Sequence, residues 1–258
     1  MIRKIKSYKI IILIFLLFAS FFFTRKRREG FTENNVVGGE KNIVLLGDSV
    51  FFNDPYVKVG NSVCDKLKKK IASKAGTASK AGTASKASTA SKAGTASKAG
   101  NNKLYCLAEN DALIVDIYQQ LSKVNRDTLN NKNTTVFVSV GGNDILNFYE
   151  NLSINDNNLN VLFNAYVKLI EAIIERLPLV KVKLFNIYSP LSKSYLIYNA
   201  PIRKWNDLLY TKFQSSSYRN VTIINNFGFM NQPADFNYDI EPSPIGAEKI
   251  ANAILVNA

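Results

Sequence analysis

The sequence predicts a three-layer α/β domain with a mainly parallel sheet of five strands. Two observations carry that prediction. Five short β-rich runs alternate with longer stretches whose apolar residues recur at helical spacing, as in a parallel sheet covered by helices on both faces. Two of the runs also end in polar, glycine-containing turns, Gly47-Asp48-Ser49 and Gly141-Gly142-Asn143-Asp144. Ligands bind beyond the carboxyl ends of the strands in such sheets, so both turns lie where chemistry is expected.

The first strand starts near Asn42 and consists of Ile43-Val44-Leu45-Leu46. A helix following directly on Ser49 would aim unpaired N–H groups at it and favour an anion there. After a loop at 51–56, residues 61–71 place Val63, Leu67 and Ile71 at four-residue spacing, which predicts an amphipathic helix. Residues 104–108 read as a strand. Residues 112–124 read as a helix with Val115, Tyr118, Leu121 and Ser122 on successive turns. A β-rich run from Thr134 leads into the second polar turn, and residues 160–177 carry the clearest helical pattern in the chain. Then follow a strand at 180–187, a helix at 200–213 with Pro201 in its first turn, and a strand at 221–224. A last helix, 244–256, is capped by Ser243.

Residues 73–100 interrupt this order with the unit Ser-Lys-Ala-Gly-Thr-Ala at period six. They hold no large apolar side chain and cannot bury enough surface to offset their ordering entropy. The expectation is a disordered low-complexity insertion within a domain spanning 42–258. Cys64 and Cys106 flank it. In an oxidising compartment a Cys64–Cys106 disulfide would close its base; two unrelated buried thiols are the blander alternative.

At the N-terminus, the uncharged run 10–23 lies between two groups of four basic residues. It is shorter than the ~20 residues that comfortably span a bilayer, but flanking Lys and Arg can snorkel and lengthen it. No small-residue cleavage site follows, and basic residues come directly after the run. Residues 1–28 therefore read as an uncleaved single-pass membrane anchor in preference to a cleaved secretory signal, with 29–41 a polar linker. The net charge of +13 lies wholly in residues 1–28 and 73–100, which contain no acid. The near-neutral remainder argues against specific nucleic-acid binding by the folded domain.

The chain contains no histidine. That excludes His-based acid–base catalysis and every His-ligated metal site, and two cysteines are too few for a structural zinc. No metal and no cofactor is expected.

Gly47-Asp48-Ser49, Ser139-Val140-Gly141-Gly142-Asn143-Asp144-Ile145-Leu146 and Glu241-Pro242-Ser243-Pro244 stand in an order, spacing and context that resemble the SGNH (GDSL-type) hydrolase superfamily. The resemblance covers 42–258, interrupted by the repeat. It implies a flavodoxin-like fold in which Ser49 is the nucleophile attacking an ester carbonyl. The oxyanion hole would use the Ser49 N–H and the Asn143 side-chain amide, a neutral donor that suits developing negative charge. Asp48, Gly142 and Asp144 would support these groups.

Two departures from the superfamily pattern bear on activity. Leu107-Ala108-Glu109-Asn110-Asp111-Ala112 is similar to its second block, with Asp111 where a glycine N–H normally completes the oxyanion hole. Tyr238-Asp239-Ile240-Glu241-Pro242 puts Glu241 where the catalytic histidine belongs and Tyr238 where its aspartate belongs. A solvated Glu titrates near 4.3, poorly matched to accepting a proton from serine near neutral pH. Burial, or a second acid such as Asp239, would raise it.

Three functional readings follow, the last of them a structural surface protein for which the fold is only a scaffold. The first is a membrane-anchored serine esterase acting on acyl or acetyl esters of a small molecule, glycan or lipid. The second is a catalytically silent module binding a glycan or lipid in the same cleft. A fold alone does not choose between them.

Overall fold

The computed structural model describes residues 40–80, 102–151 and 156–258, and they fall within the compact unit Gly38–Ala258. The expected anchor at 10–23, nearly all of the 29–41 linker and most of the repeat lie outside the described residues. Among the described residues no helix is long and apolar enough to cross a membrane.

Five strands form one parallel sheet: β1 (Asn42–Gly47), β2 (Lys103–Cys106), β3 (Thr134–Ser139), β4 (Lys181–Phe185) and β5 (Val221–Ile224). Their order, β2-β1-β3-β4-β5, is the flavodoxin-like arrangement, and β1 and β3 pair in register from Asn42↔Thr134 to Gly47↔Ser139. Alternation along each strand divides the apolar side chains between two cores. Val44, Leu46, Val136, Val138, Val182 and Leu184 face α2 (Ile117–Ser122), α5 (Asp156–Arg176) and α6 (Asn199–Phe213). Ile43, Leu45, Phe137, Phe185 and Ile224 face α1 (Val63–Lys80) and α8 (Pro244–Asn257). The predicted three-layer fold is therefore present. Short helices α3 (Arg126–Leu129), α4 (Gly142–Asn151) and α7 (Asn226–Phe229) and a two-stranded ribbon, β6 (Phe236–Asn237) with β7 (Glu241–Pro242), complete the domain. Ser243 caps α8 as expected, its Oγ accepting from the N–H groups of Ile245 and Gly246.

Phe51 N and Phe52 N both donate to the Asp48 carbonyl in a closed turn after Ser49, and α1 starts at Val63, beyond the expected loop. Two local expectations change. Residues 112–116 form turns rather than helix, because the Asp116 carboxylate accepts from Leu113 N. That shifts the buried stripe to Ile114, Ile117, Leu121 and Val124, leaving Val115 and Tyr118 exposed. Helix α1 also continues to Lys80, eight residues into the segment expected to be disordered. Its Ala and Lys residues are good helix formers, and propagating an established helix is easier than starting one.

Cys64 on α1 and Cys106 on β2 form a disulfide with a sequence separation of 42. It fastens the edge strand β2 to the helix packed beneath it. Replacing both cysteines by alanine is expected to lower unfolding stability by about 2–4 kcal/mol. Reductant should lower the denaturation midpoint of the parent protein and leave that of the double variant unchanged.

Candidate active site

The site begins where β1 stops. A Cβ on Gly47 would lie 2.4 Å from the Ser139 carbonyl oxygen, so only glycine lets β1 and β3 come this close at their ends. Glu109 N still donates to Gly47 O at 3.0 Å, and beside it acts the Gln120 side chain. Its Oε1 accepts from Gly47 N and its Nε2 donates to Gly47 O, both at 2.8 Å. Asp48 N donates to Ser139 O, and Asp48 Oδ1 accepts from Val50 N, which folds the turn over Ser49.

The end of β3 is fixed comparably. Gly141 has φ +112, and a Cβ there would meet the Trp205 ring at 2.7 Å. Helix α4 then starts at Gly142, so Asn143 and Asp144 sit in its first turn. Asn143 Nδ2 donates to Ala112 O at 3.2 Å, and the Asp144 carboxylate accepts from Ile114 N at 3.1 Å. Both contacts tie α4 to the loop after β2. One Asn143 hydrogen bond orients the amide and leaves its second N–H for another acceptor.

Glu241 is delivered by the β6–β7 ribbon and held on both sides. Tyr188 Oη donates to the Ile240 carbonyl at 2.6 Å, and Asn53 Nδ2 donates to the Pro242 carbonyl at 2.9 Å. Glu241 is 8% exposed, and its Oε2 is buried without a hydrogen-bond partner. Burial pushes its pKa up, the Ser49 hydroxyl pulls it back, and the Asp111 charge adds to the rise.

Asp48, Ser49, Gly142, Asn143 and Glu241 line one cavity of about 60 Å³, whose other walls include Val140, Ile145, Ile187 and Ile202. Asp144, in the first turn of α4, is buried but does not line it. Burial raises the Asp48 pKa to about 8, with the Glu241 and Asp144 charges adding to the rise. Burial likewise raises Asp144 to about 6, against the pull of Ile114 N.

Two expected residues stand apart from the cavity. Asp239 is exposed on the turn before Glu241, and the acid whose charge acts on Glu241 is Asp111 instead. Asp111 has φ +54, the left-handed conformation that glycine adopts most readily, and its carboxylate accepts from Asn110 Nδ2. Among the described residues no group of His, Cys, Asp and Glu could hold a metal ion. Sequence reasoning missed Gln120, Asn53 and Tyr188. The signal for Gln120 was a polar side chain on the apolar stripe of Ile117 and Leu121, hidden by the wrong choice of helix face.

Residues 43–254 match the family described as GDSL-like lipase/acylhydrolase. No curated protein matches the chain in sequence. Solved structures of the same fold include the lipase Lip_vut3 from a goat rumen metagenome, at 16% identity and TM-score 0.58 over 84% of this chain and 96% of that one. The acetylxylan esterase Axe2 from Geobacillus stearothermophilus aligns at 14% identity and TM-score 0.57 over 85% and 94%. The family 3 carbohydrate esterase of Clostridium thermocellum aligns at 20% identity and TM-score 0.51 over 83% and 92%.

The buried carboxyls make stability depend on pH. A folded pKa of about 8 for Asp48 lies above its unfolded value, so the native state holds the extra proton as pH rises. Stability from this group is full below about pH 4 and falls as pH rises towards 8. Asp48→Asn, which keeps the acceptor for Val50 N, is expected to flatten that decline in denaturation midpoints measured from pH 4 to 8.

Proposed function

The chain belongs to the GDSL-like lipase/acylhydrolase family, a hydrolase family acting on esters, and on that premise we propose a serine esterase that uses a glutamate as its base. One observation supports the assignment above the rest. Ser49, Asn143 and Glu241 line a single cavity, the Ser49 hydroxyl acts on the Glu241 carboxyl, and Glu241 Oε2 is buried without a hydrogen-bond partner.

In this reading Ser49 Oγ attacks the ester carbonyl carbon while its proton passes to the Glu241 carboxylate. The oxyanion receives hydrogen bonds from Ser49 N–H and the second Asn143 N–H, both neutral donors fixed in advance. The tetrahedral centre collapses as Glu241 returns the proton to the departing alcohol. Water then attacks the acyl-serine as Glu241 takes its proton, and the second tetrahedral centre releases the acid as Glu241 returns that proton to Ser49 Oγ. A raised Glu241 pKa suits this work, because a carboxylate closer to neutral is a stronger base and still ionised at the operating pH. The cavity volume, about 60 Å³, is well below the roughly 150 Å³ that holds a benzene, which favours a short acyl group such as acetyl.

The apolar run 10–23 with its basic flanks supports a membrane-tethered enzyme. The Cys64–Cys106 bond supports placement of the domain on the oxidising side.

The test is p-nitrophenyl acetate hydrolysis by the whole protein from pH 5 to 9. Ser49→Ala is expected to fall to the uncatalysed rate. Glu241→Gln should lose about 10²–10⁴-fold in kcat together with the rise of rate through a single ionisation. That ionisation should lie above the ordinary Glu value. Turnover indifferent to Ser49 would sink the assignment. Background rates on a range of esters, with ligand binding retained, would make the cleft a binding module instead.

A further inference from the structure

An aromatic pair lies outside both cores, beside the candidate site. Tyr238 is 76% exposed, and its ring lies 6.1 Å from that of Tyr56 at a tilt of 59°. Neither ring belongs to the apolar clusters on either side of the sheet. Tyr238 has φ +47 and Asp239 φ +71, a left-handed turn that bulky side chains rarely adopt. Strain of this kind persists where the surroundings enforce it and gathers at functional sites. Here Ile240 N closes the turn on Tyr238 O, and Asn237 Nδ2 binds the Tyr56 carbonyl at 2.8 Å. A glycine would fit the turn without strain; this chain instead holds a large ring out to solvent three residues before Glu241.

The surroundings of the pair are polar. Tyr56 Oη donates to Asn110 Oδ1 at 2.9 Å, and Asn110 Nδ2 donates to the exposed Asp111 carboxylate at 2.8 Å. The Glu241 charge reaches both Tyr56 and Asp111, although neither lines the apolar cavity. An ester has two halves, and the cavity walled by Val140, Ile145 and Ile202 suits only the acyl half. The alcohol half needs another place next to Ser49.

We propose that Tyr238 and Tyr56, with Asn110 and Asp111, form the subsite for the alcohol half of the ester, and that this alcohol is a neutral pyranose sugar. The axial C–H hydrogens of a pyranose carry partial positive charge that complements the negative face of an aromatic ring. Sugar hydroxyls supply donors to the Asp111 carboxylate, which has spare acceptor capacity. A phosphate-bearing alcohol, such as a phospholipid headgroup, would meet Asp111 and Glu241 as like charges and be repelled. The inference deepens the esterase reading and relies on it for the division into two halves.

The test measures binding without turnover. The whole protein carrying Ser49→Ala is titrated calorimetrically with O-acetylated xylo-, gluco- and chito-oligosaccharides. Saturable binding of at least one series is expected. Tyr238→Gly, which suits the left-handed turn and removes the ring, should weaken it about tenfold. Tyr238→Phe should retain it within about twofold, since the face is kept. Absence of binding across the panel, or equal affinity in Tyr238→Gly, overturns the proposal. Tyr238-dependent binding to phosphatidylcholine vesicles in place of the oligosaccharides overturns it as well and assigns the rings to a lipid surface. An inactive protein leaves this readout intact, whereas Ser49-dependent hydrolysis without oligosaccharide binding removes the sugar subsite alone.

Discussion

The peptide groups at the carboxyl ends of the strands must be satisfied where the sheet runs out of neighbours, and side-chain amides do most of this work. Gln120 closes both backbone groups of Gly47. Asn206 does the same for Ile187 after β4, with contacts of 3.0 and 2.7 Å. Asn53 joins the Pro242 carbonyl to Val63 N at the start of α1. Each amide is buried, so losing Asn206 or Asn53 would strand two backbone groups away from water, at about 1–3 kcal/mol apiece, and losing Gln120 would strand Gly47 N, because Gly47 O also accepts from Glu109 N. The site is thus placed by rigid elements, with Ser49, Asn143 and Glu241 each one residue or two from a fixed peptide.

Electrostatics at these strand ends are equally particular. Asp48, Asp144 and Glu241 are buried, and the outside charges that act on them come from other carboxylates. The fold contains a contrasting case in Asp235, fully buried but paired with Lys249 at 2.7 Å. Near Ser49 protons, rather than cations, relieve the cost of burial. Burial makes a carboxylate more basic than its residue type is in water, the property that a base for a serine hydroxyl would need in a chain without histidine.

Much of this was legible in the chain. The β1 and β3 runs, their polar ends and the Ser243 cap are local patterns, and local patterns survive into the structure. The boundary of the 112–124 helix was not, because one Asp116 side chain redirects the backbone and rotates the buried face from Val115 and Tyr118 to Ile114 and Ile117. Nor was Asp239 distinguishable from Asp111 as the neighbour of Glu241. The two lie 128 positions apart in the chain, and which one's charge acts on the carboxylate depends on a left-handed turn in each segment. Gln120, Asn53 and Tyr188 act on backbone atoms of distant residues, and no sequence spacing announces such contacts.

The bond between Cys64 and Cys106 has a further consequence for how this chain can change over time. Its two ends lie outside the six-residue repeat, so the closed ring exists before and after folding alike. In an open chain each doubling of a loop costs about 0.6 kcal/mol on closure. With the ring already sealed, that term cancels between the folded and unfolded states. Copies of the repeat can be gained or lost by replication slippage with little effect on the stability of the sheet. The strand ends that carry Ser49 and Asn143 are thereby insulated from changes in the length of the repeat.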